Sequence, residues 1–180
     1  MMKKTLTAVF WVIGAIAFFA CNDGIDYEKM RQEELAILKE YISRVHGDDA
    51  EPTSSGLYYF NEEGTGEGDT IKPGDQVLMF YATWALKSAT DSTLADQSAE
   101  YLAGHRYEPL SFVVGAGTTL PGLEEAVTYM QEGTRSHLVI NSQLAYGQQG
   151  KGYVGAFETV LMEVEIYKVI PLETGEDTEE

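Results

Sequence analysis

The spacing of apolar residues changes character three times along the chain. Residues 6–20 run without a charge and follow Lys3 and Lys4. That is short of the roughly 20 apolar residues a spanning helix needs and suits the apolar core of an export signal. Over 25–45, Met30, Leu38, Ile42 and Val45, with Tyr27, Leu35 and Tyr41, recur at three- and four-residue spacings among charged residues, which predicts a helix. Asp26 suits its N-cap and Gly47 its stop. Residues 47–56, GDDAEPTSSG, read as a polar, turn-rich linker. Beyond them the period becomes two, and strands are predicted over 57–61, 76–86, 110–114, 136–141 and 159–169, each rich in Val, Ile, Phe, Tyr or Thr. One short helix, roughly 123–131, interrupts them, with Glu124 and Glu125 in its first turn. The acidic end, ETGEDTEE, reads as a solvated tail.

These elements make an α+β domain: a curved antiparallel β-sheet, a half-barrel, wrapped around one short α-helix, with an N-terminal helical stem. The expected boundaries are 1–20 for the signal, 21–55 for stem and linker, 56–170 for the domain and 171–180 for the tail. At 180 residues, 44% hydrophobic and 23% charged, the chain is not disordered throughout and can bury a core without disulfides. Twelve Lys and Arg against 29 Asp and Glu give a net charge of −17, the wrong sign for nucleic acid. The same sign disfavours adsorption to anionic lipid, so any membrane attachment is covalent or hydrophobic. Ala20-Cys21, followed by NDGID, resembles the lipobox of bacterial lipoproteins, where the thiol is lipidated and becomes the mature N-terminus, although Phe18 stands at the usual Leu position. Removing residues 1–20 takes two Lys and no acid, leaving 10 − 29 = −19. Cys21 is the only cysteine, which excludes an internal disulfide, and several acyl chains on it would anchor stably. The expected location is the bacterial cell envelope, lipid-anchored at the outer membrane or periplasmic face.

SGLYYFNEEGTGE, IKPGDQVLMFYATW, LPGLEEAV, INSQLAYG and ETVLMEVEIYKV follow in order over about 56–170. Together they resemble an FKBP-type peptidyl-prolyl cis-trans isomerase domain, in a lipoprotein form. The resemblance implies catalysis without metal, cofactor or nucleophile. Turning an X–Pro amide meets a barrier of ~18–20 kcal/mol but breaks no bond. The twisted amide is less dipolar than the planar one, so an apolar cleft favours it. The implied catalytic residues are Tyr81 at the pocket wall, Asp91 accepting hydrogen bonds near the bound carbonyl, and Tyr146 reaching the substrate. The implied substrate-binding residues are Leu110 and Phe112 as walls, Thr119 and Leu120 before the helix, Leu123 at the floor, and Val154 and Met162 completing the lining. Thr90 stands where the family usually places Phe before the aspartate, and YVGAF at 153–157 replaces a proline-rich loop. A shallower, wetter pocket, weaker catalysis and poor binding of macrolide immunosuppressants are therefore expected.

Two features lie outside the cleft. Residues 92–108 make a longer connection than most family members carry, a surface insertion or a substrate-gripping flap. On the long strand, alternation sends Val77, Met79 and Tyr81 inward and Leu78, Phe80 and Trp84 to the opposite face, with Val139 and Leu161 as neighbours. The stem is expected to fold back over that apolar patch, or else a partner or second copy to cover it, and the stem helix is the expected site of any homodimer. His46, His105 and His137 are scattered over different segments and suggest no metal site. The expected partners are proline-containing polypeptides. The competing readings are a non-catalytic binding module of an envelope complex and a holdase chaperone with weak isomerase activity.

Overall fold

The structure is a computed structural model that describes residues 26–64, 66–98 and 108–172. The signal segment, Cys21, residues 99–107 of the insertion and the tail at 173–180 lie outside the described residues. Among the described residues the order is α1 (Tyr27–Val45), β1 (Tyr58–Glu63), β2 (Gln76–Ser88), β3 (Asp91–Gln97), β4 (Leu110–Val113), α2 (Pro121–Val127), β5 (Arg135–Ile140) and β6 (Val160–Ile170). A single 3-10 turn, Ser142–Leu144, follows β5. The strands form one antiparallel sheet in the order β1-β5-β6-β2-β3. β4 pairs with the first residues of β2, along the edge that β3 occupies further on.

The side-chain alternation along β2 builds the core. Val77, Met79 and Ala85 face α2 together with Leu138 and Ile140 of β5 and Val160, Met162, Val164 and Ile166 of β6. They close on Leu123, Ala126 and Val127 of α2, each buried Val, Leu, Ile or Met contributing roughly 1.5–3 kcal/mol. Pro121 opens this helix at a position whose N–H has no helical partner in any case. The helix ends at Val127 instead of continuing toward 131. Thr128 Oγ1 donates to the Glu125 carbonyl at 2.7 Å, and the Tyr129 and Met130 amides bond carbonyls three residues back, which tightens the chain out of α-geometry. Gly122 sets how closely the helix approaches the sheet. A Cβ there would stand 2.5 Å from Ile140 Cγ2 and 3.2 Å from Leu144 Cβ.

The opposite face carries the stem. Leu38, Tyr41 and Ile42 of α1 bury against Leu86, Val139 and Leu161, with Tyr58, Phe60 and Trp84 partly buried beside them. Asp26 caps the helix by accepting from the Lys29 N–H at 3.0 Å, and Gly47, at φ 91°, ends it with its N–H on the Ile42 carbonyl at 3.1 Å. The stem reaches Trp84 but not Phe80, which is buried near Tyr167 with ring centroids 5.8 Å apart. The buried stripe also departs from the apolar spacing: Leu35 and Val45 are exposed, while Glu34 is buried. Two of the scattered histidines meet under the stem. The His46 ring stacks on Phe60 at 3.6 Å and lies 5.4 Å from the His137 ring, whose Nε2 is 3.4 Å from the Tyr41 hydroxyl. Burial, then the neighbouring His46, pushes His137 down to about 4, and burial lowers His46 as well.

Candidate functional site

Where β2, β3 and β6 curve past the start of α2, the sheet leaves an open cleft of about 390 Å3. β2 sends in Tyr81 and Thr83, β3 Asp96, β4 Leu110, β6 Met162, and the approach to α2 Thr118, Thr119 and Leu120. Leu123 of α2 is the buried floor. The loop after the 3-10 turn supplies Tyr146 and Lys151, the ammonium lying 5.7 Å from the Tyr146 ring centre. Tyr81 is held in the gap between the two edge strands: its N–H donates to Ser98 Oγ at 3.1 Å and its carbonyl accepts from the Ser98 N–H at 2.8 Å.

One hydrogen bond organises the polar end of the cleft. The Tyr81 hydroxyl donates to Asp96 Oδ2 at 2.9 Å. Burial, the hydrogen bond to Asp96 and the charge of Asp96 push the Tyr81 phenol up to about 12. Burial, then Asp96, raises Tyr146 too, so both phenols keep their protons at neutral pH. The Tyr81 proton is committed to Asp96, whereas the Tyr146 hydroxyl and the Leu120 N–H have no hydrogen-bond partner among the described residues. The neighbouring Thr119 N–H is already turned to Glu124 Oε1 at 3.3 Å. Burial pushes Glu124 up, but the backbone amides of Thr119, Gly117, Gly115 and Thr118 outweigh it and hold the carboxyl below its usual range. The cleft thus offers two donors above an aliphatic floor. In a second hollow of about 440 Å3, the carboxylates of Asp75 and Glu132 are already engaged. Asp75 accepts from the Lys72 and Leu172 amides, and Glu132 from the Val169 amide and Lys168 Nζ.

Seven of the ten expected cleft residues come together: Tyr81, Leu110, Thr119, Leu120, Leu123, Tyr146 and Met162. Phe112 and Val154 do not line the cleft; both are buried in the core behind it. Asp91 is also displaced. It opens β3 opposite Ser88, directly after the two-residue turn of Ala89 and Thr90, and is exposed. Ser88 stands seven residues along β2 from Tyr81, about 23 Å at 3.3 Å per residue. The carboxylate in the cleft is Asp96, and the residue before it is Ala95, packed on the core, with Thr90 far off in the turn. The register carries the missed signal: a tight turn at Ala89 and Thr90 pairs Thr83 with Asp96, on the face that Tyr81 shares. β3 escaped notice because DSTLADQ has little β-propensity and, as an exposed edge strand, needs no apolar face. In the YVGAF loop, ties replace prolines: Glu158 accepts from the Gly155 N–H at 2.7 Å and from Lys87 Nζ at 2.6 Å.

A half-barrel closed on a single helix, with paired tyrosines and a carboxylate at the mouth and leucines at the base, defines a binding cleft for an uncharged, partly apolar segment. Residues 68–167 match the family described as FKBP-type peptidyl-prolyl cis-trans isomerase, and the chain belongs to that family. It is 30% identical over 145 residues to the FKBP-type 22 kDa peptidyl-prolyl cis-trans isomerase of Escherichia coli strain K12, covering 80% of this chain and 63% of that protein. It is 29% identical over 150 residues to FkpA of Aeromonas hydrophila, covering 83% of this chain and 49% of that one. The crystal structure of FkpA from Escherichia coli superposes with a TM-score of 0.64 at 28% identity, over 81% of this chain and 63% of that chain. A peptidyl-prolyl cis-trans isomerase of Pseudomonas syringae shares the fold, with a TM-score of 0.64 at 20% identity over 82% of this chain and 98% of its own. The chain thus spans roughly half to two-thirds of the length of these two curated relatives.

Proposed function

We propose that the protein is a prolyl isomerase acting on X–Pro bonds of exported polypeptides, held to the envelope by lipid on Cys21. The observation that carries the reading is a cleft lined by Leu120, Leu123, Tyr146 and Met162 in which the Tyr146 hydroxyl and the Leu120 N–H have no hydrogen-bond partner among the described residues. They would fix the carbonyls that flank the proline. The ring would rest on Leu123 and Met162, a buried apolar base on which the less dipolar twisted amide is relatively favoured. Tyr81 and Asp96 hold each other and give the rim a fixed polar edge. No group needs to gain or lose a proton.

Aliphatic Leu110 and Leu123 in the cleft, and Ala95 before its aspartate where the family resemblance implies Phe, favour a second reading in which the cleft mainly binds and turns over slowly. A homodimer through the stem would have to use its outer side, with Tyr27, Leu35 and Val45, because the inner side is spent on the sheet. The test is NMR exchange spectroscopy on a short X–Pro peptide with residues 22–180 present in sub-stoichiometric amounts. Accelerated cis/trans exchange is the expected result. Peptide binding without acceleration would support the binding module, and neither would refute both.

A further inference from the structure

Within the buried stripe of the stem, Glu34 stands among Leu38, Tyr41 and Ile42, with its side chain 1% exposed. A leucine there would complete an apolar face, and burying a carboxylate instead is unfavourable unless donors surround it. They do. Oε1 accepts from the Ser142 N–H at 2.6 Å and from Thr159 Oγ1 at 3.1 Å. Oε2 accepts from Ser142 Oγ and from Arg31 Nη1, each at 2.6 Å. Ser142 and Thr159 are the two ends of the segment that leaves β5 and returns as β6, and a single oxygen ties them. That segment carries Tyr146 and Lys151 into the cleft. The Ser142 carbonyl accepts from the Ala145 and Gly147 amides at 3.0 and 2.8 Å, the two residues that bracket Tyr146.

We propose that the Glu34 carboxylate is a clasp at the neck of the 141–159 segment and a positioning residue for Tyr146. The inference rests on the reading of the cleft as a prolyl isomerase site. The stem is thereby part of the site, and a carboxylate that never meets substrate sets where the substrate-facing hydroxyl stands. Arg31 completes the clasp, its Nη2 donating to Gln143 Oε1 at 2.8 Å. A role confined to docking the stem would affect stability alone and leave Tyr146 where it is.

Two variants of the full chain test this. Glu34→Gln puts an amide donor against donors; Thr159→Val keeps shape and removes one strand of the clasp. Each is combined with Tyr146→Phe in a double-mutant cycle on X–Pro exchange, at temperatures where circular dichroism shows the fold intact. The same chains carry 3-fluorotyrosine, with the Tyr146 and Tyr81 resonances assigned by Tyr→Phe substitution. The expected result is that Glu34→Gln lowers kcat/KM by about tenfold, that Tyr146→Phe then adds little, and that the Tyr146 fluorine resonance shifts while that of Tyr81 stays. A lowered melting temperature with unchanged kcat/KM and an unmoved Tyr146 resonance would overturn the clasp. So would a Tyr146→Phe effect of the same size in both backgrounds. If the wild type does not accelerate exchange, the proposed function fails, and the fluorine resonance alone decides the clasp.

Discussion

At the scale of single residues, the two cleft phenols behave differently because one is satisfied and the other is not. Tyr81 is bonded to Asp96, and Tyr146 has its hydroxyl free among the described residues. Both carry raised pKa values, Tyr81 at about 12, so the O–H persists well above neutrality. Deprotonation would remove a donor, so loss of activity belongs only to the alkaline extreme. X–Pro exchange catalysed by the protein is expected to stay constant from pH 7 to about 9 and to decline with a midpoint above about 10. A decline with a midpoint below 10 would mean that an easier ionisation controls the site. The tyrosines were legible because short strings around them, FYATW and LAYG, fix their place on a strand and in a turn. The aspartate was not, because the next acidic residue along the chain, Asp91, is separated from Tyr81 by the length of a hairpin arm that only strand register reveals.

At the scale of elements, α2 and the stem pack on the two faces of the sheet under different constraints. α2 depends on close approach at Gly122. Gly122→Ala is expected to cost about 1–3 kcal/mol, because the added Cβ forces Ile140 and Leu144 to shift. Chemical denaturation would measure it, and an unchanged midpoint would contradict the packing described. The stem depends partly on histidines remaining neutral. His137 sits against Tyr41 and His46 and pairs across the sheet with Glu163. Its folded pKa, about 4, lies below the unfolded value of ~6.5, so the unfolded chain binds the proton first as pH falls. Stability should therefore decline between about pH 6.5 and 4 by at most about 3 kcal/mol from this residue, then level off. In His137→Phe that part of the pH dependence should vanish in urea titrations; an unchanged slope would assign it to the carboxylates. Periodicity predicted the stem, yet it marked Leu35 and Val45 as buried and could not show that Glu34 would be. A buried carboxylate is explained by donors more than a hundred residues away in sequence, which no local pattern contains.

At the scale of the whole molecule, one sheet does two jobs. Its concave face closes on α2 and leaves the cleft, and its other face holds the stem through Trp84, Val139 and Leu161. The two are coupled through the 141–159 segment, whose ends meet at the stem and whose middle lines the cleft. The class of fold was readable from the change of period and from motif order, since those reflect local geometry. The edge strand, the carboxylate in the cleft and the clasp were not, since each depends on pairing between distant segments. The most direct measurement is X–Pro exchange by NMR in two single variants, Asp96→Ala and Asp91→Ala, beside the wild type. Asp96 fixes Tyr81 at the cleft mouth, and its loss is expected to lower kcat/KM by roughly tenfold or more. Asp91, exposed at the hairpin turn, should be neutral to within about a factor of two. If instead Asp91→Ala abolished activity and Asp96→Ala left it intact, the cleft described here would not be where the proline turns.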